Sequence, residues 1–133
     1  MKTKMLKIST LLGAAIIFFA TSLSAADANA AGIRVKCEKK SNRSSISVDG
    51  RNLTPGSYSA VVKSGDNKAV AELKSSTGDE VEFEFDFDSD KGEIVAGAVA
   101  ISPIFIQGGK VTGQIKDADG FIIIEGTSSC RVR

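Results

Sequence analysis

The sequence predicts an all-β fold: a single antiparallel β-sandwich of immunoglobulin-like type, with about seven or eight short strands and one disulfide joining the first strand to the last. Three observations lead there. After residue 30, apolar and polar residues alternate with a period of two. Turn-forming clusters recur roughly every ten residues along the same stretch. Two cysteines, Cys37 and Cys130, stand near its two ends. No sustained 3.6-residue period, the mark of an amphipathic helix, interrupts the alternation.

The first 30 residues lie outside this pattern. Lys2, Lys4 and Lys7 precede an apolar run from Leu11 to Leu23, followed by the small-residue triplet Ala28-Asn29-Ala30. A cationic start, an apolar middle and a small-x-small end make up a secretory signal peptide. The run is shorter than the roughly 20 residues needed to span a membrane. We therefore expect a leader over 1–30, cleaved after Ala26 or Ala30, and one β-sandwich domain over 31–133. The expected location is the periplasm or the extracellular space, with no transmembrane segment after cleavage. The chain has 17 basic and 16 acidic residues, and the leader removes three lysines and one aspartate. The remaining near-neutral balance conceals a segregation: residues 31–51 are strongly basic, whereas 79–93 are strongly acidic.

The strands follow in order. Ile33, Val35 and Cys37 alternate with Arg34, Lys36 and Glu38, and Ile46 and Val48 with Ser45, Ser47 and Asp49. Leu53-Thr54-Pro55-Gly56 is a turn, since proline pre-sets φ and glycine admits positive φ. Tyr58, Ala60 and Val62 then define a strand, with Tyr58 placed to anchor a sandwich corner through its hydroxyl. Ser64-Gly65-Asp66-Asn67 turns the chain, Ala69, Ala71 and Leu73 continue it, and Ser76-Thr77-Gly78-Asp79 turns it again. Val81, Phe83, Phe85 and Phe87 next occupy one face against Glu80, Glu82, Glu84, Asp86, Asp88 and Asp90 on the other. That alternation defines a strand with one face buried.

The pattern breaks over 91–102, which we expect to cross over with one helical turn. Strands resume at Lys110–Lys116 and, after the turn Asp117-Ala118-Asp119-Gly120, at Phe121–Ile124. This last run is apolar on both faces. It predicts a strand covered on both sides, or alternatively an exposed patch that binds a partner. Cys130 and Val132 share the inner face of the final strand, opposite Arg131 and Arg133. Cys37 and Cys130 thus both point inward, as a bridge across a sandwich requires. In an oxidising compartment an even pair of cysteines is most simply a disulfide.

The stretch Gly109–Gly120 (GKVTGQIKDADG) resembles the G-x-V-x-D-x-x-G hairpin of carboxypeptidase-regulatory-like and related prealbumin-like sandwich domains. There the hairpin opens the fold, whereas here it lies near the end. The resemblance implies the sandwich class and assigns no function.

Composition bounds the chemistry. The chain has no histidine, so it lacks the commonest general base and transition-metal ligand. A Ser-His-Asp triad, a Cys-His dyad, an HExxH zinc site and a histidine-ligated haem are all excluded for this chain alone. No glycine pattern matches a phosphate-binding loop or a dinucleotide fingerprint, and the dispersed lysines leave no footprint for nucleic acid. Paired carboxylates could serve a glycosidase, yet any acidic strand produces their spacing. We expect no enzymatic activity.

The acidic strand is the most unusual feature. Like charges about 7 Å apart along one face need cations or open water. Three readings fit: cross-strand pairing with Arg34 and Lys36 or with Arg131 and Arg133, a solvated edge that resists aggregation, or a surface that binds a cation or a basic partner. Asp86, Asp88 and Asp90 have the D-x-D-x-D spacing that opens a calcium loop, and Glu93 joins them if the chain curls after Ser89. Lys91 and Gly97 stand where an EF-hand has its glycine and its final glutamate, so the match ends there. Calcium at Asp86, Asp88, Asp90 and Glu93 is the one metal the sequence suggests. The expected function is that of a small exported, non-enzymatic binding or envelope structural module, with a protein or glycan partner in the cell envelope. The alternatives are a calcium-dependent module using 80–93 and a carbohydrate-binding or hydrolase-associated module.

Overall fold

The structure is a computed structural model and describes residues 31–88 and 97–133. Nine strands are present among them and no helix: β1 (Gly32–Lys39), β2 (Arg43–Arg51), β3 (Gly56–Ser64), β4 (Asn67–Ser76), β5 (Glu80–Asp88), β6 (Val99–Ala100), β7 (Lys110–Asp117), β8 (Ile122–Ser129) and β9 (Arg131–Val132). They form two sheets. Sheet A has the order β6-β5-β2-β1-β9, and sheet B the order β4-β3-β7-β8. All pairings are antiparallel except the two short edge pairs, β1 with β9 and β5 with β6.

Alternation decides which side chains enter the core. Ile46 and Val48 of β2 and Phe83 and Phe85 of β5 come from sheet A, and Ala60 and Val62 of β3 and Val111 and Ile115 of β7 from sheet B. All eight are at most 2% exposed, and burying each large one contributes about 1.5–3 kcal/mol of transfer free energy. The sheets pack tightly where side chains are missing. Gly113 and Gly126 face one another across β7 and β8. A Cβ at Gly113 would lie 2.9 Å from Val35 and 3.0 Å from Val48, and one at Gly126 would lie 3.0 Å from Ile33. Sheet A therefore rests on the bare backbone of sheet B at these points.

The margins are tied individually. Cys37 of β1 is bonded to Cys130, 93 residues away in sequence. Cys130 lies where the chain leaves β8 of sheet B for β9 of sheet A. Its amide donates to the Gly109 carbonyl at 2.8 Å, so the bridge pins the crossing between sheets. Closing so long a loop lowers the entropy of the unfolded chain by the equivalent of about 4–5 kcal/mol in the chain-entropy model. On the opposite side, Lys74 of β4 reaches over to β5. Its ammonium donates to the Glu82 carbonyl at 2.6 Å and lies 5.3 Å from the centre of the Phe83 ring. Tyr58 makes the expected corner, its hydroxyl donating to the Thr54 carbonyl.

Two expectations change. Within 91–102, Val99–Ala100 is a strand pairing parallel with Phe85 and Asp86; the remainder, where the helical turn was expected, falls largely outside the described residues. The Phe121–Ile124 run is not covered on both sides: Phe121 is 69% exposed, Ile122 52% and Ile123 41%. β8 is the edge of sheet B with only β7 beside it. A register shift opposite Ile115 and Lys116 disrupts the alternation there. Only Ile124, opposite Ile115, packs on the core.

Candidate functional site: the outer face of sheet A

The alternation that buries Phe83 and Phe85 turns the charged half of β5 outward, onto the outer face of sheet A. Registers fix its neighbours. β2 lies between the acidic strand and the basic one, so the outer face carries three parallel rows. Arg34, Asp49 and Glu82 align across β1, β2 and β5; Lys36, Ser47 and Glu84 follow, then Glu38, Ser45 and Asp86. The expected direct pairing of Arg34 and Lys36 with the acidic strand is precluded by β2, which separates the two rows by about 10 Å, twice the strand spacing. The solvated-edge reading is modified too, because β6 covers part of β5 and Asp86 and Asp88 are buried.

The middle row is short. Ser45 and Ser47 form the floor of a trough whose walls are Lys36 and Glu38 on one side and Glu82 and Glu84 on the other, with a volume of about 220 Å³. A neighbouring hollow of about 200 Å³ runs on past Glu38 and Ser45 to Lys40 and Arg43. Asp49 sits low in the face, 5% exposed, and accepts a hydrogen bond from the Ser47 hydroxyl at 3.2 Å. Glu84 has its pKa raised, first by burial, then by the negative charges of Glu82 and Asp86; a hydrogen bond with Glu82 acts in the same direction and one from Ser47 opposes it. Glu84 thus holds its proton more firmly than a carboxylate in open water.

At the far end of the face, Arg43 serves two carboxylates. Its guanidinium lies 3.7 Å from Asp86 and 3.7 Å from Asp88. Asp86 is 1% exposed, and neither of its oxygens has a hydrogen-bond partner. Nothing in the sequence marks Arg43 for this pairing, because Lys40-Ser41-Asn42-Arg43 looks like a turn between strands. Its parity with Ser45 and Ser47 signals only the face it shares with them. A further ion pair joins Arg133 to Glu38 at 3.3 Å, and Arg131 lies in register with the same glutamate.

Of the four suggested calcium ligands, the fold places Asp86 and Asp88 together beneath Arg43, whereas Asp90 and Glu93 lie outside the described residues. Among the described residues, no three of the ligand-forming side chains converge as a metal site requires. The face can engage a partner that presents both positive and negative groups, through Lys36 and Arg34 on one wall and Glu82 and Glu84 on the other. No protein-family model matches this chain, and no curated protein matches it.

Proposed function

We propose that this protein is an exported, non-enzymatic β-sandwich of immunoglobulin-like type that works by binding, in the periplasm or outside the cell, through the outer face of sheet A. One observation carries the reading: an open polar trough on a three-strand platform has Glu82 and Glu84 along one wall and Lys36 with Glu38 along the other, with Arg34 preceding Lys36 in the β1 row. Rigid strands hold the charges at fixed spacing, which favours specificity over bulk attraction. The leader-like residues 1–30 support export, and the Cys37–Cys130 bridge is compatible with an oxidising compartment. The lack of histidine supports a role without acid–base catalysis.

The partner is a protein or glycan of the cell envelope. Capture from envelope extract tests this directly: the natural protein retains a component that Arg34→Glu/Lys36→Glu and Glu82→Lys/Glu84→Lys variants lose. Equal capture by all three refutes the assignment to this face.

A calcium-dependent module is the second reading, favoured by the buried Asp86 carboxylate whose oxygens lack hydrogen bonds. Arg43 weighs against it by already placing a positive charge there. Melting in millimolar calcium and in chelator separates the two readings. A ligand specific to the native state raises the midpoint, and identical midpoints eliminate calcium.

A further inference from the structure

We infer that the outer face of sheet A is self-complementary and that its partner is a second copy of this chain, related by a two-fold axis running along β2. The inference rests on the reading of this face as the working surface and identifies its occupant. The argument is one of symmetry and charge. A closed dimer places the same patch on both sides of the contact. An axis in the sheet plane and parallel to the strands lays β5 of the second copy over β1 of the first, and the reverse. Because Arg34 is in register with Glu82, and Lys36 with Glu84, through β2, each basic side chain then meets its own register partner from the other copy. That gives four opposite-charge contacts. An in-plane axis perpendicular to the strands would instead stack β5 on β5, carboxylate on carboxylate, and is electrostatically rejected.

The relief suits the contact. Ser45 and Ser47 line the axis with short side chains at the floor of the trough, so the two troughs face each other and nothing bulky there holds the charged walls of the two copies apart. Of the charges that would meet their like, Glu38 is paired with Arg133 and Asp86 with Arg43 within each copy, and Arg51, which lies on the axis, has Glu80 in register beside it. Asp49 is sunk in the face and held by the Ser47 hydroxyl. Three strands eight or nine residues long and about 4.8 Å apart, with two-residue strands at the margins, give a footprint of about 400–500 Å² per copy. This is the lower end of specific interfaces, so the dimer is a weak, salt-sensitive equilibrium.

Sedimentation velocity on the protein purified from cells expressing the full chain tests it. The expected result is a concentration-dependent dimer in about 20 mM salt that weakens about fivefold or more in about 500 mM salt. Arg34→Glu/Lys36→Glu makes both walls acidic and gives a monomer, and Glu82→Lys/Glu84→Lys makes both walls basic and gives a monomer. An equimolar mixture of the two variants forms the heterodimer, which also proves that both are folded. A natural protein that stays monomeric to about 0.5 mM, a dimer that survives in either variant, or a mixture that stays monomeric each overturns the inference. A monomer that still captures an envelope component through these charges overturns the dimer alone; a monomer without such capture overturns the binding face as well.

Discussion

β5 and β8 both carry large apolar side chains, alternating with acidic ones in β5 and consecutive at the start of β8, yet they end in opposite surroundings. β5 lies inside sheet A between β2 and β6, and its Phe85 is fully buried. β8 forms the edge of sheet B and leaves Phe121, Ile122 and Ile123 largely in water. Apolar content is similar, so the difference comes from the number of neighbours. An interior strand has its face closed by strands on both sides and by the opposing sheet. An edge strand is closed on one side only, and the irregular register at Ile123 removes even the alternation that would have turned it inward. Burial is thus a property of position in the sheet, and β8 is held by its ladder with β7, by Ile124 on the core and by the Cys37–Cys130 bridge just beyond its end.

The contrast can be broken most forcefully at β5. Phe85→Ala is expected to lose about 3–5 kcal/mol by chemical denaturation, because a large cavity opens in a packed core. The same truncation at Ile122 or Ile123 should cost no more than about 0.5 kcal/mol. Similar losses at the two sites would show that β8 is buried after all. Removing the bridge with Cys37→Ser/Cys130→Ser should cost about 2–5 kcal/mol. Hydrogen exchange in that variant should accelerate in β8 and β9 before β5; uniform acceleration would mean that the bridge does not selectively secure the edge.

A smaller effect is expected at the charged end of β5. Arg43→Ala leaves the buried Asp86 without its compensating charge and should destabilise by about 1–3 kcal/mol. Arg43→Ala/Asp86→Asn should recover part of that loss, and a double variant that merely adds the two single losses would rule out the coupling.

The smallest effect concerns Glu84. Its raised pKa means that the folded state binds the proton more tightly than the unfolded state does. Its contribution to stability is therefore fully present below the ordinary carboxylate pKa and lost as pH rises through the folded value. Glu84→Gln should raise the midpoint slightly at pH 7, with the gain fading in acid below the ordinary carboxylate pKa, where both states of the natural protein become protonated. A gain that persists in acid would assign the effect to something other than ionisation.

The local grammar was readable from the chain. Val81, Phe83 and Phe85 alternate with Glu80, Glu82 and Glu84 because a strand sends successive side chains to opposite faces, and that rule identified the core half of β5. Tyr58 announced its corner through the Pro55-Gly56 turn, and inward parity announced the disulfide partners. What escaped was everything set by neighbours distant in sequence. Nothing local indicates that β2 separates β1 from β5, and that order is what keeps Arg34 and Lys36 from pairing directly with the acidic strand. Nor does any local pattern mark Arg43 as the counterion of Asp86, or β8 as an edge.

The sequence by itself determined most of the long strands and the apolar face of those that alternate, because side-chain alternation and turn chemistry act over two to four residues. It also determined the chemistry this chain lacks, since no fold can supply a histidine that is absent. Only the tertiary structure decided that basic, neutral and acidic rows lie side by side, that Asp86 is buried while Glu82 is exposed, and that Phe121–Ile123 face solvent. Those outcomes depend on strand order and register, which are fixed by contacts between residues tens of positions apart.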